Sequence, residues 1–404
     1  MSDREANDTA LGDLRVLDLA GPMGLYCTKQ LADLGADVIK IEPPGGDPSR
    51  AIGPFYHDEP HPEKSLYWFH FNTNKRSITL DIVSPDGKDI LKKLVKTADI
   101  IVETFQPGYL DSIGLGYSVL KEINPGLILT SITPFGQTGP YRDFKASDLI
   151  GLAMGGLVFI SGWPDEPPST MGGSQGYNVA SIHACTGALI ALYHRDMTGE
   201  GQHVDVSMQQ CVAHSLQWVT QMYDLQTRIM VRSGRWGVPL QECKDGWAVV
   251  IPMVDWADFV GWLESGGGAG DLTTDERYKD IDYQMIPEVR QHITEVTDAF
   301  TKSQPKKLVC EEGQKRHVIA IPCNNAKEVV ENPQLVSRGF FVNVDHPELG
   351  DTLKYSGAPY RFAETPWRIR RRAPFIGEHN LEIYGKELGL LPEQMALLKE
   401  QGVI

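Results

Sequence analysis

A chain of 404 residues exceeds what one hydrophobic core of about 250–300 residues holds, which predicts two domains. Hydrophobic residues make up 41% and charged residues 23%, a soluble globular balance. The formal net charge of −15 argues against a nucleic-acid or anionic-membrane partner, since either needs a basic face.

The stretch from Met1 to Leu11 is polar and acidic, without the basic and apolar regions of a signal peptide. No apolar run reaches the roughly 18 residues of a membrane helix, so a cytoplasmic protein is expected. The six cysteines, Cys27, Cys185, Cys211, Cys243, Cys310 and Cys323, lie far apart. They suggest reduced thiols, with no metal site and no disulfide framework.

The first half alternates β-rich runs with helical patterns, which predicts a parallel sheet with helices on both faces. Arg15–Leu19 is the first strand, and Ala20-Gly21-Pro22-Met23-Gly24 turns into a helix ending near Gly35. Val38–Glu42 and Ser77–Leu80 are the next strands, Asp86–Lys96 an amphipathic helix, and Ile100–Glu103 and Leu127–Ile132 buried strands. Ala146–Ile160 and Val179–Arg195 predict long helices rich in small residues, followed by the strand His203–Met208. The character changes near residue 225, and 225–330 reads as a smaller α+β domain. It holds a strand at Gly246–Pro252, a flexible loop at Gly266–Gly270 and a helix around Ile286–Thr301. Residues 331–404 are expected to return onto the large domain, 12–224, and to end in a helix at Pro392–Lys399.

The first turn, followed by an acidic residue ending the second strand, has the outline of a dinucleotide fold, with Glu42 where a ribose-binding carboxylate would sit. The match is poor. Gly21-Pro22-Met23-Gly24 is GxxG rather than GxGxxG, and Pro22 lacks the N–H that would face a pyrophosphate. The turn therefore reads as a tight structural connection.

Whole segments carry a sharper signal. VLDLAGPMGLYCTKQLADLGADVIKIEPPGGDPSR (Val16–Arg50), NTNKRSITLD (Asn72–Asp81), ADIIVETFQPG (Ala98–Gly108) and INPGLILTSITPFGQTGPY (Ile123–Tyr141) run in order along the chain. HRDMTGEGQHVDVSM (His194–Met208), ENPQLVSRGFF (Glu331–Phe341) and IGEHN (Ile376–Asn380) follow. Together they resemble the family III coenzyme A-transferases, the group of the formyl-CoA and carnitine enzymes. The resemblance implies a Rossmann-like large domain built from both termini, a smaller α+β domain, and interlocked dimers. It also implies coenzyme A or succinyl-CoA as substrate, with no permanently bound cofactor. The nucleotide is expected against Leu80–Val83, Thr104, Phe105 and Gln106, and Lys145–Asp148. Leu80, Val83, Lys145 and Ala146 stand among these positions, with Lys145 a cation suited to a phosphate. Lys145 reads equally as a solvated lysine at a helix start. Lys75 and Arg76 read either as a phosphate clamp or as a structural pair entering a strand. Where many relatives carry an Arg after the IKIE strand, this chain has Pro43-Pro44.

Family chemistry runs through an aspartate that attacks the acyl-CoA thioester, giving a mixed anhydride and then an aspartyl-CoA thioester. Counting back from His194-Arg195 without a gap places Tyr177 at that position, followed by Asn178. A phenol with a pKa near 10 is a poor nucleophile at neutral pH, so Tyr177 reads as a space-filling residue and no catalytic residue is assigned. The His and Asp of the racemase branch would fall near Ser147 and Tyr177, and both are absent. His183 reads as a helix-packing residue, and Asp148 as structural.

A complete fold with its nucleophile replaced suggests the non-catalytic subunit of a heteromer, partnered by a homologous chain that carries the aspartate. Benzylsuccinate CoA-transferase of anaerobic toluene degradation, which uses succinyl-CoA, is such a two-subunit member. The expected role is transfer of CoA from succinyl-CoA to benzylsuccinate or a similar succinate derivative. Two alternatives stand beside it: an acyl-CoA lyase or isomerase with a relocated catalytic group, and a non-enzymatic CoA-binding scaffold.

Overall fold

Six strands carry the apolar runs of the first half: β1 (Arg15–Leu19), β2 (Asp37–Glu42), β3 (Arg76–Thr79), β4 (Ile100–Glu103), β5 (Ile128–Thr133) and β6 (His203–Ser207). They pair in parallel in the order β3-β2-β1-β4-β5-β6. Strand order reverses between β1 and β4, and the carboxyl ends of these two strands frame the crevice where such sheets bind ligands. The computed structural model describes residues 9–232, 240–251 and 256–404 and divides into two compact units. One comprises the chain up to Val158, Thr170–Ile229 and Ser337–Ile404, and the other Phe159–Ser169 and Met230–Val336.

Helices of the first unit are α1 (Leu25–Asp33), α2 (Leu66–Phe71), α3 (Pro85–Val95), α4 (Tyr117–Ile123), α5 (Asp148–Met154), α6 (Leu157–Ile160, reaching into the second unit), α7 (Gln175–Thr198), α8 (Met208–Ser215) and α9 (Val219–Gln226). Alternate strand residues point to opposite faces of the sheet, so each strand feeds two cores. Val16, Val38, Val102 and Ile132 pack with Leu31 of α1 and Ala184 of α7 on one face. Leu17, Ile39, Ile101 and Leu129 pack with Ile90 of α3 and Leu120 of α4 on the other. Ala180, Ala184 and Ala188, four residues apart, give α7 a buried ridge of small side chains. The Ser181 hydroxyl donates to the Met23 carbonyl at 2.7 Å, tying α7 to the first turn.

One predicted element is corrected. The single helix expected over Ala146–Ile160 is two, broken at Gly155-Gly156, where Gly156 adopts φ +92°. That left-handed conformation suits glycine and cannot continue a right-handed helix.

Strands β7 (Leu240–Cys243), β8 (Gly246–Ile251) and β9 (Ile319–Pro322) form the antiparallel sheet of the second unit, in that order. The expected end of the β8 strand, Pro252, lies outside the described residues. Helices α10 (Trp256–Ser265), α11 (Pro287–Thr301) and α12 (Lys306–Lys315) bury Phe259, Trp262, Phe300 and Val309 against it. In the first unit, β10 (Phe341–His346) and β11 (Asp351–Ser356) form a hairpin whose Val344 and Tyr355 pack on Trp68 and Phe69. The chain ends in α13 (Pro392–Glu400). Its return is pinned to the end of β3: the Tyr384 hydroxyl donates to Thr79 O at 2.6 Å, and the Asp81 N–H to Val403 O at 2.8 Å. Among the described residues, no helix is long and apolar enough to cross a membrane.

Candidate active site

The turn after β1 is held by buried charge. Asp18 is fully buried and accepts from the Ala20 N–H at 2.9 Å, the Thr28 hydroxyl at 2.7 Å and Lys75 Nζ at 2.9 Å. Burial alone would raise the Asp18 pKa, but Lys40 and Lys75 outweigh it and hold the carboxyl below its ordinary value. Lys40 donates to the Ala20 carbonyl at 2.5 Å. The turn then meets β4: the Gly21 N–H donates to Thr104 Oγ1 at 2.7 Å. A Cβ on Gly24 would stand 2.7 Å from Ala20 Cβ and 3.0 Å from Thr104 Cγ2, so only glycine permits this approach.

This network decides between the two readings of Lys75 and Arg76. Lys75 is buried on Asp18, Thr28 and Asn72, and burial pulls its pKa down to about 8. Arg76 is paired to Asp37, Glu382 and Glu387. Both lie at the amino end of β3 and are spent internally, so the phosphate-clamp reading is withdrawn. Glu42 is likewise unavailable to a ribose: Arg50 grips both its oxygens, at 2.6 and 2.8 Å, and the Ser77 hydroxyl donates to it at 2.5 Å.

The residues expected to meet coenzyme A follow strands of one sheet. Leu80 and Val83 come after β3, Thr104, Phe105 and Gln106 after β4, and Lys145 and Ala146 between β5 and α5. Leu80 is buried in the core and offers only backbone, whereas Val83 is 52% exposed. Thr104 is engaged by Gly21, and Phe105 is half-buried with its ring 4.9 Å from that of Tyr109. Gln106 and Lys145 are exposed, and Ala146 is half-buried. Pro44 lines a cavity of about 540 Å³ with Thr79, Asn380 and Lys399.

Sequence reasoning missed Glu103, which ends β4 beside these residues. Its carboxyl is 4% exposed, accepts from the Phe105 N–H at 2.6 Å, and has Ser131 as a further hydrogen-bond partner. Ser131 Oγ in turn lies 2.8 Å from His203 Nε2. Burial is the main cause that lifts the Glu103 pKa to about 7, with Asp205 and Asp111 adding to it. The available signal was an acidic residue closing an otherwise apolar strand.

Tyr177 occupies the third position of α7. The chain enters that helix through Gly173 and Ser174, both with positive φ, and the Tyr177 N–H donates to Asp148 Oδ1 at 2.9 Å. This carboxylate sits where the N–H groups and positive dipole end of the helix converge, which gives Asp148 the structural role expected of it. The Tyr177 ring is half-buried against the core around α1 and α7. Burial is the main cause that pushes its phenol above the ordinary value, and the nearby Asp148 charge also raises it. Tyr67 on α2, which sequence reasoning did not single out, stands close by. Burial, Tyr177, Asp47 and Asp148 together push its phenol up to about 12. The two phenols, held neutral at physiological pH, can donate hydrogen bonds and fill space, and the Asp148 carboxylate accepts one from the start of the helix. Ser147 is exposed just before α5, and His183 packs edge-to-face on His214 with ring centroids 5.5 Å apart. Among the described residues, no three His, Cys, Asp or Glu side chains are grouped to hold a metal.

Comparison with known proteins agrees with this architecture. The family model described as CoA-transferase family III matches residues 11–380. The subunit BbsE of succinyl-CoA:(R)-benzylsuccinate CoA-transferase from Thauera aromatica is 36% identical over 91% of this chain and 92% of its own length. The succinyl-CoA–D-citramalate CoA-transferase of Chloroflexus aurantiacus is 35% identical over 98% of both chains. The crystal structure of a CAIB/BAIF family protein from Brucella suis superposes with a TM-score of 0.85 at 30% identity, covering 94% of this chain and 99% of that one. The chain belongs to CoA-transferase family III.

Proposed function

We propose that this chain is the non-catalytic subunit of a heteromeric transferase that moves CoA from succinyl-CoA to benzylsuccinate or a closely similar succinate derivative. One observation carries the reading. The start of α7, where the resemblance expects the nucleophilic aspartate, holds Tyr177, and the neighbouring carboxylate of Asp148 is engaged on the Tyr177 N–H. A phenol raised above its ordinary pKa cannot form the anhydride and thioester intermediates that a carboxylate forms. Likeness to a protein named as a subunit, BbsE, supports a heteromer and a succinyl donor.

The partner is a homologous chain that supplies the aspartate, and the two interlock. An exposed stripe on α7 fits such a partner. Ile182, Ile190, Tyr193 and Met197 recur at helical spacing on the side opposite the buried alanines, and are 45%, 64%, 69% and 71% exposed. Coenzyme A is to be bound at the carboxyl end of the sheet, by Val83, Gln106, Lys145, Ala146 and the backbone at Leu80, Thr104 and Phe105.

The test is reconstitution. This chain alone is expected to give no transfer from succinyl-CoA to benzylsuccinate, and addition of an aspartate-bearing homologue is expected to restore it. Full turnover by the purified chain alone would favour a relocated catalytic group. Binding of acyl-CoA without turnover in any combination would favour a scaffold.

A further inference from the structure

Across the carboxyl ends of β4, β5 and β6, Glu103, Ser131 and Asp205 stand opposite one another in register. Neighbours in one row of a sheet share a face, so a hydroxyl sits between two carboxyls. Ser131 is a hydrogen-bond partner of Glu103. Its Oγ also lies 2.8 Å from Nε2 of His203, which comes two residues before Asp205 on the same side of β6. Glu103 and Ser131 are buried, whereas His203 and Asp205 are exposed, so the row runs from the core to the edge strand of the sheet.

Each carboxyl reaches into a turn that follows the sheet. Glu103 accepts from the Phe105 N–H at 2.6 Å, in the turn after β4. Asp205 accepts from the Gln137 N–H, at 3.1 Å and 3.0 Å to its two oxygens, in the turn after β5. A second tie holds that turn, since the Gly136 N–H donates to Thr133 Oγ1 at 2.8 Å. The first turn leads directly to Gln106 and the second toward Lys145, both of them exposed.

Glu103 is an expensive residue to place there. A buried carboxyl ordinarily needs a cation, and among the described residues Glu103 has no ion-pair partner. A strand ending in valine would pack without that penalty. What the carboxyl adds is a pair of acceptor oxygens, one of them fixed on the Phe105 N–H.

We infer that Glu103 and Asp205 are positioning residues for the coenzyme, fixing through the Phe105 and Gln137 N–H groups the two turns that present Gln106 and Lys145. Ser131 joins the two carboxyls into one row. The inference rests on the placing of coenzyme A at these turns.

Coenzyme A titrated by calorimetry into the purified full-length protein at neutral pH tests this, with a denaturation midpoint taken for every variant. Glu103→Ala should weaken binding about tenfold, and Asp205→Ala, at the exposed end of the row, about threefold. Glu103→Gln, whose amide oxygen still accepts the Phe105 N–H, should stay within about twofold of wild type. Gln106→Ala alone should weaken binding about threefold. Made on top of Glu103→Ala it should add almost nothing, because a turn no longer fixed does not present that side chain. A residue that only stabilised the fold would give independent losses that multiply. Multiplied losses, wild-type binding by Glu103→Ala, or a Glu103→Gln as weak as Glu103→Ala would overturn the inference and leave the coenzyme site in place. Wild-type binding by both Gln106→Ala and Lys145→Ala would remove the coenzyme site itself, and the inference with it. Should Glu103→Ala fail to fold, Asp205→Ala combined with Lys145→Ala gives the same comparison. The double variant should then bind no more weakly than Lys145→Ala, and multiplied losses would again overturn the inference.

Discussion

The backbone N–H of Tyr177 donates to Asp148 Oδ1 at 2.9 Å, so the carboxylate beside the start of α7 serves as a helix cap contributed from another element. Asp148→Ala should therefore destabilise the first unit by roughly 1–2 kcal/mol, the usual loss when a capping side chain is removed. Asp148→Asn keeps an acceptor and should cost less. Urea melts of the two variants check the ordering, and an unchanged midpoint for Asp148→Ala would contradict the capping role.

Glu103 makes stability depend on pH. Its folded-state pKa, about 7, lies above the ordinary carboxyl value of 4.5, because the buried site disfavours the charged form. A group raised in this way contributes stability that is fully present below the unfolded pKa and is lost as pH rises through the folded one. The loss should thus fall between about pH 4.5 and pH 7. Glu103→Gln can still accept from the Phe105 N–H and donate to Ser131 without ionising. It should melt like the wild type near pH 4 and be more stable by on the order of 3 kcal/mol above pH 8. Parallel melting curves at all pH values would show that Glu103 is not the group responsible.

Two lysines should separate cleanly. Lys75 is buried on Asp18, and Lys75→Met leaves that carboxylate short of a partner in the core. A loss of roughly 3 kcal/mol is expected, read as a lowered denaturation midpoint. Lys145 is exposed, so Lys145→Ala should leave the midpoint unchanged and weaken coenzyme A binding about three- to tenfold, more at low salt than at high. A stability loss in Lys145→Ala, or none in Lys75→Met, would reverse the assignment.

Much of this was legible in the sequence because the signals are local. Apolar runs such as Ile100–Glu103, bounded by turn residues, mark strands whose buried faces leave little choice of structure. The resemblance of whole segments supplied the topology, which no periodicity could. The break at Gly155-Gly156 was missed because small residues suit both a tightly packed helix and a left-handed turn, and only the adopted φ of +92° distinguishes them. Lys75 and Arg76 stayed ambiguous for a related reason. A cation pair before a strand reads as a phosphate clamp until its partners are known, and Asp18, Asp37 and Glu387 are distant in sequence. Tyr67 carried no motif of its own, and its proximity to Tyr177 arises only when α2 and α7 come together.

Covalent capture tests the central claim most directly. The assembled enzyme is incubated with succinyl-CoA, trapped with hydroxylamine or borohydride, and each chain is mapped by mass spectrometry. Modification is expected only on the partner's aspartate, with this chain unlabelled and Tyr177→Phe within about twofold of wild-type turnover, since the ring fills space and the hydroxyl does no chemistry. A CoA adduct on this chain, or turnover abolished by Tyr177→Phe in an intact assembly, would mean that the chain is catalytic.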